Sequence, residues 1–454
     1  RDIGVTGVQT CALPIWKFRF CLNCKTVHSA QGKDSNRLAS LSSEGRSSAT
    51  SIFTHSILRW MDGQSGQSIP PSRRKLLGFT DNRQDAALQA GHFNDFLFVS
   101  ILRAGILGAV NKAGDEGLTA DRIGQAVSRA LGFDRAELRD EWLLNPELSG
   151  VQFLNAQRTL REMLGYRVWV DQRRGWRYTN PNLEQLGLLS VEYEGLAEFV
   201  ADDSKFTGTH DLLVDVRPET RLDVFRELFD VMRQGLAVTT DVLAAPEAEA
   251  LKTRSRDLLR APWGFGREER PRTSRYLMPQ APNRRDNSLG DEDLIIRAGP
   301  QSALGRTLRS AGLWHNDPRA AALRRDEYDR LLDSMLRAAA RAGLVVDVPS
   351  PFNGFAGWQL SASCVLFKLG DGSAQRGAMD NAYFRSLYAN LADALSSGYH
   401  VFHYEAREHT AQVDADCREI REMRFRFGDT EKEALKSRAA LLTEIGENNR
   451  FLPV

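Results

Sequence analysis

Apolar residues recur at helical spacing in some stretches of this chain and gather into strand-length runs in others. Over 49–60, Ile52, Phe53, Ser56, Ile57 and Trp60 fall at helical intervals behind serines able to cap, which predicts an amphipathic helix. A Gly/Ser/Pro linker over 62–72 leads to the run KLLGFT at 75–80. That run predicts a buried parallel strand, with Asp81 and Asn82 placed to cap a helix over 84–90, because a strand followed by a helix is the unit of doubly wound sheets. Near the end of the chain, 399–403 (YHVFH) predicts a second such strand, followed by a helix over 414–427 and a last strand opening at Arg450.

The long stretch between these runs is helical in pattern. A helix over 154–164 precedes strand-like runs at 166–170 and 176–178 around a turn at 171–175. A helix over 326–342 precedes runs at 344–348, 358–360 and 364–368. Helix followed by hairpin predicts two winged-helix-like modules. The Arg- and Pro-rich stretch 259–289 reads as an exposed or partly disordered loop.

At 454 residues with 42% hydrophobic content, the chain is long enough for two or three domains with their own cores. The apolar stretch 96–110 is interrupted by Ser100, Arg103, Gly105 and Gly108, so no membrane span is expected. A net charge of +1 excludes a uniformly basic nucleic-acid coat but permits local basic grooves. All but ten of the 60 basic residues are arginine, the side chain suited to bidentate phosphate contacts, although a GC-rich genome gives the same bias. Five scattered cysteines do not make a secreted disulfide framework, which leaves a cytoplasmic location as the expectation.

Candidate chemistry is sparse. Cys21 and Cys24 have the spacing of half a structural zinc site, with His28 as a third donor; a buried thiol pair and a redox pair are the alternatives. Cys364 reads as core and Cys417 as an inert helical thiol. A strand ending at Thr80 would bring Thr80, Asn82, Arg83 and Gln84 to a sheet edge beside a helix N-terminus, where such folds hold phosphates. These side chains could donate to phosphate oxygens; on pattern alone, Asp81 and Asn82 could equally be simple caps. No GxxxxGK[ST] loop, Ser/His/Asp set or carboxylate pair for catalysis stands out.

The segment 75–95 (KLLGFTDNRQDAALQAGHFND) resembles the opening strand and helix of the second RecA-like lobe in large DEAD/DEAH-box, superfamily 2 helicases of bacterial type. The segment 44–51 (EGRSSATS) resembles what those proteins carry just upstream, and 405–413 (EAREHTAQV), with Arg418, Arg421, Glu422 and Phe425, resembles the lobe's next block. The resemblance implies an α/β fold: a RecA-like parallel-sheet lobe over 49–102 and 399–454, split by a mostly helical insertion over 103–398 that carries the winged-helix-like modules. Upstream of the lobe, the sequence pattern itself gives a Cys knuckle and a Ser-rich connector over 16–48. The resemblance also implies strand contacts from His409, Thr410, Gln412 and Arg418, the other charges up to Arg426 reading as a solvated helix face. The parent would be an ATP- and Mg2+-dependent helicase or translocase acting on nucleic acid, DNA first. The alternative is a non-enzymatic winged-helix DNA-binding protein on an α/β scaffold. Residues 1–15 resemble the in-frame translation of a sequencing-library adapter, so the natural sequence is expected to enter at Trp16 in mid-gene and to stop before the lobe's threonine-and-glycine and arginine-rich motifs.

Overall fold

The computed structural model describes residues 43–61, 69, 73–79, 83–173, 180–281, 294–350, 352, 354–373, 381–398, 404–410, 413–438 and 442. The helix expected over 49–60 forms as α1 (Ser43–Met61), with an unusual division of its faces. Ser48, Ser51, His55 and Leu58, spaced by three or four residues, are buried, while Phe53, Ile57 and Trp60 lie outside, Trp60 at 60% exposure.

The helix expected over 84–90 continues as α2 (Arg83–Ala113), because nothing in the apolar run 96–110 breaks it. Its serine, arginine and glycines are accommodated by neighbours instead. The helix is long and apolar enough to cross a membrane, yet 78% of its apolar window is buried inside the protein, which is the environment of a core helix. The expected boundary at 102/103 falls in the middle of α2. One continuous core runs from Leu58 of α1 through Leu395, spanning both sides of that boundary.

Helix α3 (Ile123–Ala130) packs on α2 and on α4 (Gly150–Gln172), α5 (Pro218–Gln234) is tied to the end of α4 through Arg233, and α6 (Ala245–Leu258) packs on α4. Helices α3 and α4 cross at Gly124, where a Cβ would sit 2.2 Å from the Arg161 carbonyl oxygen. Backbone on both sides leaves no room to yield. Gly124→Ala is therefore expected to destabilise the fold by about 1–3 kcal/mol despite alanine's better helix propensity, read as a lowered denaturation midpoint; an unchanged or raised midpoint would show the crossing to be loose.

The last turn of α4 pins two buried arginines. Asp171 receives Arg103 of α2 at 2.9 Å, and Arg103 also donates to the Tyr388 hydroxyl at 2.8 Å, on α8 (Ala382–Ser396). Gln172, the next residue, receives Arg233 of α5 at 2.7 Å. Burial works against the charge of Arg103, but Asp171 and Tyr388 outweigh it and hold the guanidinium firmly protonated.

Two small sheets complete a mixed α/β architecture. Strand β8 (Val365–Leu369) lies antiparallel between β1 (Leu118–Thr119) and β2 (Leu189–Tyr193). The other sheet has the order β3 (Val238–Thr239), β7 (Gly357–Ser361), β4 (Tyr276–Met278), β5 (Ile295–Arg297), with β6 (Val345–Val348) paired to β7. Its parallel pairs are β3 with β7 and β4 with β5, all within the region expected to be an insertion.

The second expected helix-and-hairpin module forms in part, the run at 364–368 joining the other sheet as β8 instead. Helix α7 (Arg325–Arg341) leads into the antiparallel pair β6–β7, in register from Val345 opposite Leu360 to Val348 opposite Gly357. Cys364 is buried as expected, its thiol pushed up to about 12 by burial. The first module is corrected: 166–170 is not a strand but the continuation of α4, and 176–178 lies outside the described residues. Aromatic and β-branched content suggested a strand there, but Tyr166, Val168, Trp169 and Val170 are all buried, and an apolar run covered all round suits a core helix equally well. The stretch 259–289 is corrected over its described part too. Trp263 and Phe265 are buried, Trp263 edge-on to Phe133 at 4.8 Å and to Phe98 at 5.3 Å, so aromatic burial overrides the Arg/Pro signal.

Candidate nucleic-acid interface

Three segments that carry the helicase resemblance meet on the first half of α2. His92 of α2 bridges two serines of α1, with Nδ1 2.9 Å from Ser51 Oγ and Nε2 3.2 Å from Ser48 Oγ. Gln89, one turn earlier, donates to the Ser47 carbonyl at 3.2 Å. Two residues beyond His92, Asn94 holds the backbone of the distant segment: its Nδ2 donates to the Ala406 carbonyl at 2.9 Å and its Oδ1 accepts the Ala406 N–H at 2.8 Å. His55 is sealed in the same layer, edge-on to Phe96 at 5.7 Å and to Tyr404 at 6.2 Å. Burial, and secondarily the nearby Arg59, lowers its pKa from 6.5 to about 4.

Helix α9 (Ala415–Arg426), which matches the helix expected over 414–427, is tied to the segment before it. His409 Nε2 lies 3.1 Å from Glu422, Arg421 donates to the Glu408 carbonyl, and the fully buried Arg424 meets Glu405 at 3.0 Å. One side of the charge-rich helix is thus an internal contact rather than a solvated face. A small cluster of Ile420, Leu435 and Leu442 joins α9 to α10 (Asp429–Ser437). Lys75 reaches the C-terminal end of α9, donating to the Arg426 carbonyl at 2.8 Å and to that of Phe425. A cation at a helix C-terminus complements the exposed carbonyls.

The expected strand at 75–80 is corrected. Residues 75–79 form no strand, and Leu77 and Phe79 are exposed, Phe79 at 90%. No described strand lies beside them, and an apolar run without cross-strand partners stays in solvent. Thr80 and Asn82 lie outside the described residues, as do Gln412, the expected strands at 399–403 and 450–454, and Cys21, Cys24 and His28. Arg83 opens α2, and Gln84 follows it in the first turn with its side chain exposed. His409 is half-exposed and engaged by Glu422. Thr410 Oγ1 and Arg418 Nε are buried without a hydrogen-bond partner among the described residues. The structure thus joins the blocks through Ser48, Ser51, His92, Asn94 and Ala406, none of which stands out chemically in the sequence. The only local signal is a polar residue, Asn94, entering an otherwise apolar helix face.

Among the described residues no group of three or more His, Cys, Asp or Glu side chains could hold a metal ion. The sequence contains no GxxxxGK[ST] stretch. Comparison of this chain with protein-family models, curated proteins and solved structures finds no match to any of them.

Proposed function

We propose that this chain is part of a nucleic-acid helicase or translocase, contributing strand contacts while ATP is hydrolysed by other parts of the parent protein. The observation that carries the reading is the convergence of 44–51, 75–95 and 405–413: the Ser48/Ser51–His92 bridge and the Asn94–Ala406 clamp bring together segments up to 312 residues apart in sequence. A RecA-like arrangement of the α/β fold belongs to the same proposal. The first turn of α2 supplies backbone N–H groups and the positive end of a long helix, which suit a phosphate. Arg83 and Gln84 stand there, Arg418 stands in the first turn of α9, and His409 and Thr410 lie in the segment before it.

The winged-helix alternative has the α7–β6–β7 arrangement in its favour and the chemistry of α7 against it. Acidic Asp326, Glu327, Asp329 and Asp333 alternate with Arg325, Arg330, Arg337 and Arg341, and Arg337 is already bound to Asp333 at 2.8 Å. A helix of balanced charge makes a poor partner for a phosphate-lined groove.

Arg83→Ala is expected to weaken binding to unrelated single strands equally and to reduce the slope of log affinity against log salt by about 0.7. An unchanged slope in a folded variant would refute the contact. A change confined to one base position would point to sequence reading instead.

A further inference from the structure

A basic crevice lies where α3 and α4 cross, lined by none of the residues of the three converging segments. Because Gly124 lets the helices approach backbone to backbone, the neighbouring side chains of both are brought to one spot. Helix α3 contributes Gln125, Ser128 and Arg129, and α4 contributes Gln157 and Arg161, lining a crevice of about 40 Å³ floored by Phe133 and Leu160. That volume is room for a few waters or one small tetrahedral oxyanion. Arg129 and Arg161 are exposed, and neither guanidinium makes an ion pair or hydrogen bond with a described residue. This sets them apart from the buried Arg103, Arg221, Arg233 and Arg424, each paired with a carboxylate. Two uncommitted guanidiniums with two amides and a hydroxyl form a donor-rich set suited to phosphate oxygens. Asp134 is the one carboxylate at the rim, so the lining carries two positive charges against one negative.

We propose that this crevice binds a phosphate group, supplied by the backbone of a nucleic-acid strand and gripped by Arg129 and Arg161 without regard to base sequence. The proposal does not rest on the helicase reading, since none of its residues belongs to the segments that carry that resemblance.

The test uses the whole chain, an oligothymidylate and inorganic phosphate as probes, and the double variant Arg129→Ala/Arg161→Ala. Arg337→Ala, which removes an exposed arginine from another helix, serves as the control for charge. In the double variant the slope of log affinity against log salt for the oligothymidylate should fall by about 1.4, twice the single-contact value, while the control keeps its slope. Asp134→Asn should tighten binding, which a purely structural role for the arginines would not produce. If only inorganic phosphate binds and the double variant loses it, the site stands and its phosphate comes from a free anion. If the folded double variant, checked by its melting curve, binds both probes as the parent chain does, or if neither probe binds the parent chain, the proposal is overturned. Arg83→Ala acts at a different place, so failure of either experiment leaves the other intact.

Discussion

Arg233→Ala is expected to lower the free energy of unfolding by about 3–5 kcal/mol, the largest loss foreseen for any single side chain here. Arg233 has no exposed surface and holds Glu184 at 2.6 Å, Asp230 at 2.9 Å, Gln172 at 2.7 Å and the Tyr193 hydroxyl at 3.1 Å. Burial opposes the cation, but Tyr193, Glu184 and Asp230 together outweigh it and hold the guanidinium well above its usual range. Removing the arginine takes from Glu184, itself buried, the cation it pairs with at 2.6 Å. Asp230 keeps some contact with solvent and its bond from Tyr193, so Glu184 dominates the loss. The double variant Arg233→Met/Glu184→Leu should therefore recover much of the stability, because removing both partners leaves no buried charge behind. Urea unfolding at unchanged slope would measure both variants. A single variant costing under about 1 kcal/mol, or a double variant no better than the single, would show the network to be looser than its geometry indicates.

Legibility from the sequence follows periodicity. The helix over 49–60 is readable because its apolar residues repeat at helical intervals, that over 414–427 because its charges alternate in sign, and the β6–β7 hairpin because short β-rich runs flank a Pro/Asn/Gly turn. The same logic misreads 166–170, since aromatic and β-branched residues serve a helix buried on all sides as well as a strand. It misreads 75–79 for a different reason: a strand exists through its neighbours, and local sequence does not specify them. The buried arginines are hidden in another way. Arg103 looks like an interruption of an apolar run, and nothing nearby announces that its partner is Asp171, 68 residues on. At the candidate interface, the segments 44–51, 75–95 and 405–413 are legible only through resemblance, whereas the atoms that join them belong to ordinary serines, a histidine and an asparagine whose partners depend on the fold.

His55 should make the packing of α1 against α2 sensitive to acid. The imidazole is 3% exposed, and the groups facing it are the rings of Phe96 on α2 and Tyr404 on the returning segment, with Arg59 one turn along its own helix. None of these stabilises a positive charge there by ion pairing, so its pKa falls from 6.5 to about 4. A folded-state value below the unfolded one means that the unfolded chain binds the extra proton first as pH drops. Stability from this group is thus complete above about pH 6.5 and declines through the interval down to about pH 4. Over those two and a half units the loss approaches about 3 kcal/mol at roughly 1.4 kcal/mol per unit. Carboxylates titrate in the lower part of the same range, so the informative quantity is the difference between the parent chain and His55→Gln, which cannot take up the proton. The variant is expected to start less stable at neutral pH, having lost the two ring contacts, and to close the gap as pH falls from 6.5 toward 4. Parallel denaturation curves across that interval measure the gap, and a difference that stays constant with pH would show that His55 does not titrate as a buried neutral imidazole.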